Sequence, residues 1–114
     1  MARILIVEDE MLVAMLIEDT LSDLGHVVVG PAMRLETALA AVETESFDYA
    51  ILDINLAGKT SFPVADLLVE KGIPFMFASG YGAAGLTDGY RERPILQKPF
   101  VGKEIEKMLA TLSQ

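Results

Sequence analysis

Four short apolar runs in this sequence each end on a residue able to do chemistry. Glu8-Asp9-Glu10 follows Ile4-Leu5-Ile6-Val7, and Asp53 follows Tyr49-Ala50-Ile51-Leu52. Ser79 follows Phe75-Met76-Phe77-Ala78, and Lys98-Pro99 follows Ile95-Leu96-Gln97. Carboxylates that share a few ångströms repel one another when ionised, so such a group calls for a compensating positive charge. Oxygen donors with no neighbouring His or Cys suit Mg²⁺ or Mn²⁺ over zinc or copper, and Mg²⁺ commonly keeps several waters beside one or two carboxylates and a phosphate oxygen. A hydroxyl from Ser79 and an ammonium from Lys98 beside a metal-bound carboxylate would make a receptor for a tetrahedral dianion. Asp53 is then the candidate nucleophile. Its attack on a phosphoryl group would give an aspartyl phosphate, with alignment and charge neutralisation replacing a protein base.

Each of these residues also has an ordinary reading. Acids before a helix usually cap it, Asp53 and Ser79-Gly80 fit turns, and Lys98-Pro99 fits a loop with a solvated charge. Their joint occurrence at the ends of four runs points to a phosphoacceptor site. His26, the single histidine, stands at the start of a strand and reads as an ordinary strand-edge residue. Met15, Met76 and Met108 read as core filler.

Short apolar runs alternating with segments of helical period indicate a parallel α/β fold. Five strands are expected: residues 4–7, 27–29, 49–52, 75–78 and 95–97. The first helix is expected over residues 12–24, with Ala14, Ile17, Leu21 and Leu24 on its buried face and Gly25 as its stop. Leu35, Ala38, Leu39 and Val42 mark a second helix. Pro63 and Gly72 bracket a third, and Val101, Ile105, Met108, Leu109 and Leu112 give the last its buried stripe. Gly80, Gly82, Gly85 and Gly89 lie where a fourth helix belongs, so that helix is expected to be short or absent. In such folds ligands bind outside the carboxyl ends of the strands, at the topological switch point. If the first and third strands are neighbours, Glu8, Asp9, Glu10 and Asp53 converge there.

The chain has 114 residues, is 52% hydrophobic and carries a formal charge of -8. Its mean hydropathy is +0.40, which excludes disorder and suffices for one core. The acidic balance excludes nucleic acid and anionic membrane surfaces as direct partners. There is no cysteine, hence no disulfide, thiolate metal site or thiol chemistry, and a reducing cytoplasm is the expected compartment. The first apolar run stops at Glu8, far short of a signal peptide or membrane helix. One domain over residues 1–114 is expected, with no output domain.

At this point the residues carry a resemblance. The chain resembles a response-regulator receiver domain of two-component signalling, of the CheY-like kind, over essentially its whole length. Ile6-Val7-Glu8-Asp9-Glu10 resembles the acidic pair after the first strand, Ile51-Leu52-Asp53-Ile54-Asn55-Leu56 the phosphoacceptor segment, and Gln97-Lys98-Pro99-Phe100 the lysine-proline step. The resemblance implies a single-domain, flavodoxin-like, doubly wound five-stranded parallel sheet of order 2-1-3-4-5. It implies Asp53 as phosphoacceptor, Glu8, Asp9 and Asp53 with the Asn55 backbone carbonyl as Mg²⁺ ligands, Ser79 as switch hydroxyl and Lys98 as phosphate counter-ion. It also implies a cis Lys98-Pro99 bond.

Pro74-Phe75-Met76-Phe77-Ala78-Ser79-Gly80-Tyr81-Gly82 is similar to the signature of the FATGUY receivers, with serine where threonine is usual. That resemblance implies a stand-alone regulator of a subgroup often paired with sensor histidine kinases of the HWE type. Two departures stand out: Ile95 replaces the aromatic switch residue of many receivers, for which Tyr81 and Tyr90 are candidate substitutes, and residues 80–89 are glycine-rich.

The expected activity is transfer of a phosphoryl group from a histidine kinase or phosphotransfer protein to Asp53. The output is then either altered binding of a downstream protein or service as a phosphate sink. Docking is expected at Met11, Leu12, Phe100 and Val101. The alternatives are a receiver-like docking module without phosphotransfer, a small phosphohydrolase and a flavodoxin-type module. The hydrolase lacks a second aspartate two positions after Asp53, and the flavodoxin reading lacks Ser, Thr or Gly donors in the first turn.

Overall fold

The computed structural model describes residues 2–56, 58–79, 95–97 and 102–112; for Ser79, residues 95–97, Gly102, Met108 and Leu112 it describes the backbone. The elements run β1 Arg3–Val7, α1 Met11–Asp23, β2 Val27–Ala32, α2 Leu35–Thr44, β3 Tyr49–Asp53, β4 Asn55–Leu56 and β5 Lys59–Thr60. They continue with α3 Phe62–Lys71, β6 Phe75–Ser79, β7 Ile95–Gln97 and α4 Gly102–Leu112. Five strands form one parallel sheet of order β2-β1-β3-β6-β7, the 2-1-3-4-5 arrangement expected from the sequence. β4 and β5 form a separate antiparallel hairpin that the sequence reading does not contain.

Side chains alternate across each strand, and this sorts the sheet into two packed faces. Ile4, Ile6, Ile51, Met76 and Ala78 pack with Ile17 and Leu21 of α1 and with Ile105 and Leu109 of α4. Leu5, Val7, Ala50, Leu52, Phe75 and Phe77 pack with Ala38 and Val42 of α2 and with Val64, Ala65 and Leu68 of α3. Both faces are covered, which is why the strands read as continuous apolar runs. Phe77 is wedged edge-on between Phe75 and Phe62, at centroid distances of 5.5 and 6.1 Å. Each fully buried large aliphatic or aromatic side chain contributes roughly 1.5–3 kcal/mol.

Two expectations about α1 are corrected. Met15 is 51% exposed and Leu24, at the helix end, is 37% exposed, so neither belongs to the core. Met76 is fully buried, as expected of core filler. α3 begins with Pro63 in its first turn and closes at Gly72, whose φ is +72°. The predicted fourth helix and the side chains of Val101, Met108 and Leu112 lie outside the described residues. No described helix is long and apolar enough to cross a membrane.

β2 runs three residues past its expected end, through Gly30 and Pro31 to Ala32. It is an edge strand, where Pro31 forfeits no ladder hydrogen bond, and its pairing with β1 shifts register between Leu5 and Val7. The Gly30-Pro31 peptide bond is cis, and Gly30 has φ +93°. A Cβ at Gly30 would sit 2.8 Å from the Ala32 nitrogen and 3.0 Å from the Ile6 carbonyl oxygen, both backbone atoms. Gly30→Ala therefore combines left-handed strain with a clash and is expected to lower stability by about 2 kcal/mol or more, read from the urea midpoint. A midpoint equal to wild type would show that the β1-β2 edge relaxes freely.

Candidate functional site

The parallel order places β1 between β2 and β3, so the chain reverses its direction of winding at the β1-β3 boundary. That boundary is where an α/β sheet opens a crevice at its carboxyl edge. Val7 lies in register with Leu52, which puts the residues just after both strands side by side. The Glu8 N–H donates to the Ala32 carbonyl at 3.0 Å and so keeps the chain in the sheet one residue beyond β1. The Glu10 N–H then donates to Glu8 Oε2 at 3.1 Å, and the Ala14 N–H donates to the Glu10 carbonyl at 2.9 Å to start α1.

Glu8, Asp9 and Asp53 each offer one carboxylate oxygen, and those atoms all lie within 4.8 Å of one another. Glu8 is 1% exposed, Asp53 is 9% exposed and Asp9 is half-buried. At that spacing, two unit charges repel by about 3 kcal/mol with an effective dielectric constant of roughly 20. The N-terminus of α1 offers partial positive charge to the same place. The donor set is wholly oxygen and wholly carboxylate, matching Mg²⁺ or Mn²⁺ in hardness and charge.

Of the four carboxylates expected to converge, Glu10 is the one left out. It is exposed and serves as N-cap of α1 by position, and its backbone N–H holds Glu8 in place. Asn55 opens β4, two residues past Asp53. Asp53 pairs in register with Ala78, and Ser79, the next residue, ends β6 opposite Gln97 of β7. The backbone thus brings the Asp53 and Ser79 positions to one sheet edge. The Ser79 side chain, Lys98, Pro99, Tyr81 and Tyr90 lie outside the described residues. His26 is remote from the cluster, its Nδ1 accepting the Ala2 N–H at 3.1 Å.

The β4-β5 hairpin is the feature near the site that sequence reasoning misses. Its strands are two residues each, too short for any window of alternation, and its only signals are Gly58 in the turn and the buried-exposed-buried order of Ile54, Asn55 and Leu56. Lys59 Nζ donates to Glu36 Oε1 at 3.0 Å. A hydrogen bond from Glu36's own backbone, followed by the Lys59 ammonium, holds the Glu36 carboxyl below the usual carboxylate range.

The family model of the response regulator receiver domain matches residues 4–110. The phyllosphere-induced regulator PhyR of Methylorubrum extorquens is 36% identical over 113 residues, covering 95% of this chain and 42% of that protein. The chain spans less than half the length of the curated relatives it matches. The solution structure of SdrG from Sphingomonas melonis Fr1 is 44% identical, with a TM-score of 0.89 and coverage of 100% of this chain and 98% of that one. The BeF3-activated conformation of SdrG from Pseudomonas melonis Fr1 is 47% identical, with a TM-score of 0.84 and coverage of 96% and 94%.

If the carboxylates hold a divalent cation, Mg²⁺ added to metal-stripped protein should raise the melting temperature, by an amount equivalent to about 2.7 kcal/mol at a hundredfold excess over Kd. Asp9→Asn should remove most of the rise. A flat titration of the wild-type protein would refute the site.

Proposed function

The chain belongs to the response regulator receiver domain family, whose members are signalling regulators, and on that premise we propose that it accepts a phosphoryl group on Asp53 and signals through altered protein binding. The observation that carries this reading is the meeting of Asp53 with Glu8 and Asp9 at the switch point of the sheet. The BeF3-activated form of the SdrG relative supports it, since trifluoroberyllate is a tetrahedral analogue of a phosphoryl group.

In the proposed reaction an Asp53 carboxylate oxygen attacks phosphorus, and the P–N bond to the donor's phosphohistidine breaks as the new P–O bond forms. The P–N electron pair stays on the departing ring, which leaves as neutral imidazole because its other nitrogen already carries the proton of the phosphoimidazolium. Glu8, Asp9, Asp53 and the Asn55 carbonyl would hold Mg²⁺, which supplies neutralisation of the anionic oxygens. The chain's own task is alignment: Asp53 is set at the end of a strand buried on both faces, with its neighbours fixed in register. Ser79 and Lys98 would take the remaining phosphoryl oxygens through a hydroxyl donor and an ammonium. The added charge, near -1.5 to -2 as for other phosphorylated side chains, would draw both toward Asp53 and change the surface around β6 and β7. Ile95 stands where many receivers couple that movement to an aromatic ring, so the coupling here would use other residues.

The phosphodonor is read as a sensor histidine kinase, of the HWE type, or a phosphotransfer protein, working in the cytoplasm. The receiver would either bind a downstream protein or act as a phosphate sink. The surface beside the site supports a protein donor. Met11 is 63% exposed, Leu12 82%, Met15 51% and Leu16 49%, which makes an apolar patch on the first half of α1 next to the carboxylates. Glu10, Glu18, Asp19 and Asp23 surround it and α1 has no basic residue, so an apolar helix bordered by Lys or Arg would complement it. Phe100 and Val101, the other residues expected at this surface, lie outside the described residues.

Asp53→Asn should abolish labelling by acetyl phosphate and by a kinase, assayed with radiolabelled donor. Wild-type protein that neither donor labels would leave the docking-module reading in its place. Leu12→Ser with Leu16→Ser should slow transfer from a protein donor by about tenfold while leaving acetyl phosphate labelling unchanged, because both residues are exposed and outside the carboxylate cluster. Equal slowing with both donors would argue against docking at α1.

A further inference from the structure

The chain contains no cysteine and no tryptophan. A peroxide therefore meets no thiol, and the thioethers of methionine become the side chains most open to reversible oxidation. Burial decides which of them it reaches. Among the methionine side chains described, Met76 is fully buried and Met33 half-buried, whereas Met11 is 63% exposed and Met15 51%. Met11 and Met15 stand four residues apart on α1 and so share one face of that helix. Met11 opens the helix, two residues after Asp9 of the carboxylate cluster. Neither side chain belongs to either packed face of the sheet, so an oxygen added to its sulfur leaves the core intact.

We propose that Met11 and Met15 form a reversible modification site for small peroxides, and that their oxidation to the sulfoxide blocks docking of the phosphodonor while leaving Asp53 competent; the effect on docking rests on the reading of α1 as the donor's docking surface. In the step, a sulfur lone pair attacks one oxygen of hydrogen peroxide, and the S–O bond forms as the O–O bond breaks. The departing oxygen takes up the proton of the transferred one and leaves as water. Sulfur loses two electrons and the peroxide gains them. Reversal draws two electrons from a dithiol through a methionine sulfoxide reductase, giving back the thioether, with water and a disulfide as the other products. The sulfoxide is polar where the thioether was apolar, so pressing it against an apolar partner costs its hydration. Leu12 and Leu16, 82% and 49% exposed, are unaltered, so oxidation weakens the surface without erasing it.

The test treats purified protein with hydrogen peroxide, destroys the oxidant with catalase before any donor is added, and follows each methionine by peptide mass spectrometry. Met11 and Met15 are expected to oxidise several-fold faster than Met33 and Met76. The oxidised protein should then be labelled about three- to tenfold more slowly by an autophosphorylated sensor histidine kinase that labels the untreated protein, with acetyl phosphate labelling unchanged. Treatment with the sulfoxide reductases MsrA and MsrB and dithiothreitol should restore the rate. Met11→Leu/Met15→Leu protein, whose side chains are apolar, similar in size and inert to peroxide, should keep its kinase rate through the same exposure. Oxidation of Met33 or Met76 as fast as that of Met11 and Met15, a kinase rate unmoved by sulfoxide at both positions, equal slowing with both donors, or the same slowing in the double-leucine protein would each overturn the proposal. If Leu12→Ser/Leu16→Ser protein also keeps its full kinase rate, the docking surface itself falls; if that variant slows and the oxidised protein does not, the docking surface stands and the oxidation switch alone falls.

Discussion

The rest of the structure depends on the enforced proximity of three carboxylates. Glu8, Asp9 and Asp53 would separate if the chain were free to move, and at the spacing observed each ionised pair opposes folding by a few kcal/mol. What holds them is the register of Val7 with Leu52 in a pair of strands whose apolar side chains are buried on both faces. Ile4, Ile6 and Ile51 face α1 and α4, while Leu5, Val7 and Leu52 face α2 and α3. Neither strand can shift without opening core on one side or the other. On the proposed reading, a cation entering there would offset part of the repulsion between these carboxylates.

Much of this was legible because the chemistry lies where strands end, and buried parallel strands are the easiest elements to see. Four consecutive apolar residues at Ile4-Leu5-Ile6-Val7 followed by acids leave little choice about where the sheet stops. The same reasoning could not say which of the three consecutive acids turns inward. Glu8 continues the extended path of β1 and its carboxylate joins the cluster, whereas Glu10 is the exposed N-cap before α1. That distinction depends on where the helix begins, and no residue type in the run marks it.

The errors in α1 and around Asp53 have a different origin. Residues 11–17 are seven apolar residues in succession, so the first two turns of α1 carry no period from which a buried face could be chosen. Met15 reads as core filler from its residue type and Leu24 as buried from helical spacing, whereas of the expected face the helix buries Ala14, Ile17 and Leu21. β4 and β5 are not legible because a two-residue strand has no alternation, and β2 reads as ending at Val29 because Gly30 and Pro31 break strands except at a sheet edge.

The placement of the apolar patch gives the proposed function a further physical rationale. A phosphoryl group adds negative charge to a site that already concentrates it, so on this reading phosphorylation and cation binding are coupled: each offsets the repulsion that opposes the other. Recognition of a donor built on charge alone would then change with the phosphorylation state it is meant to alter. Met11, Leu12, Met15 and Leu16 interact by burial, which depends little on charge, and they stand on a helix fixed to the sheet by Ile17 and Leu21. A donor that docks there can bring its phosphohistidine to the carboxylates by geometry, leaving electrostatics to govern the transfer itself and the release that follows.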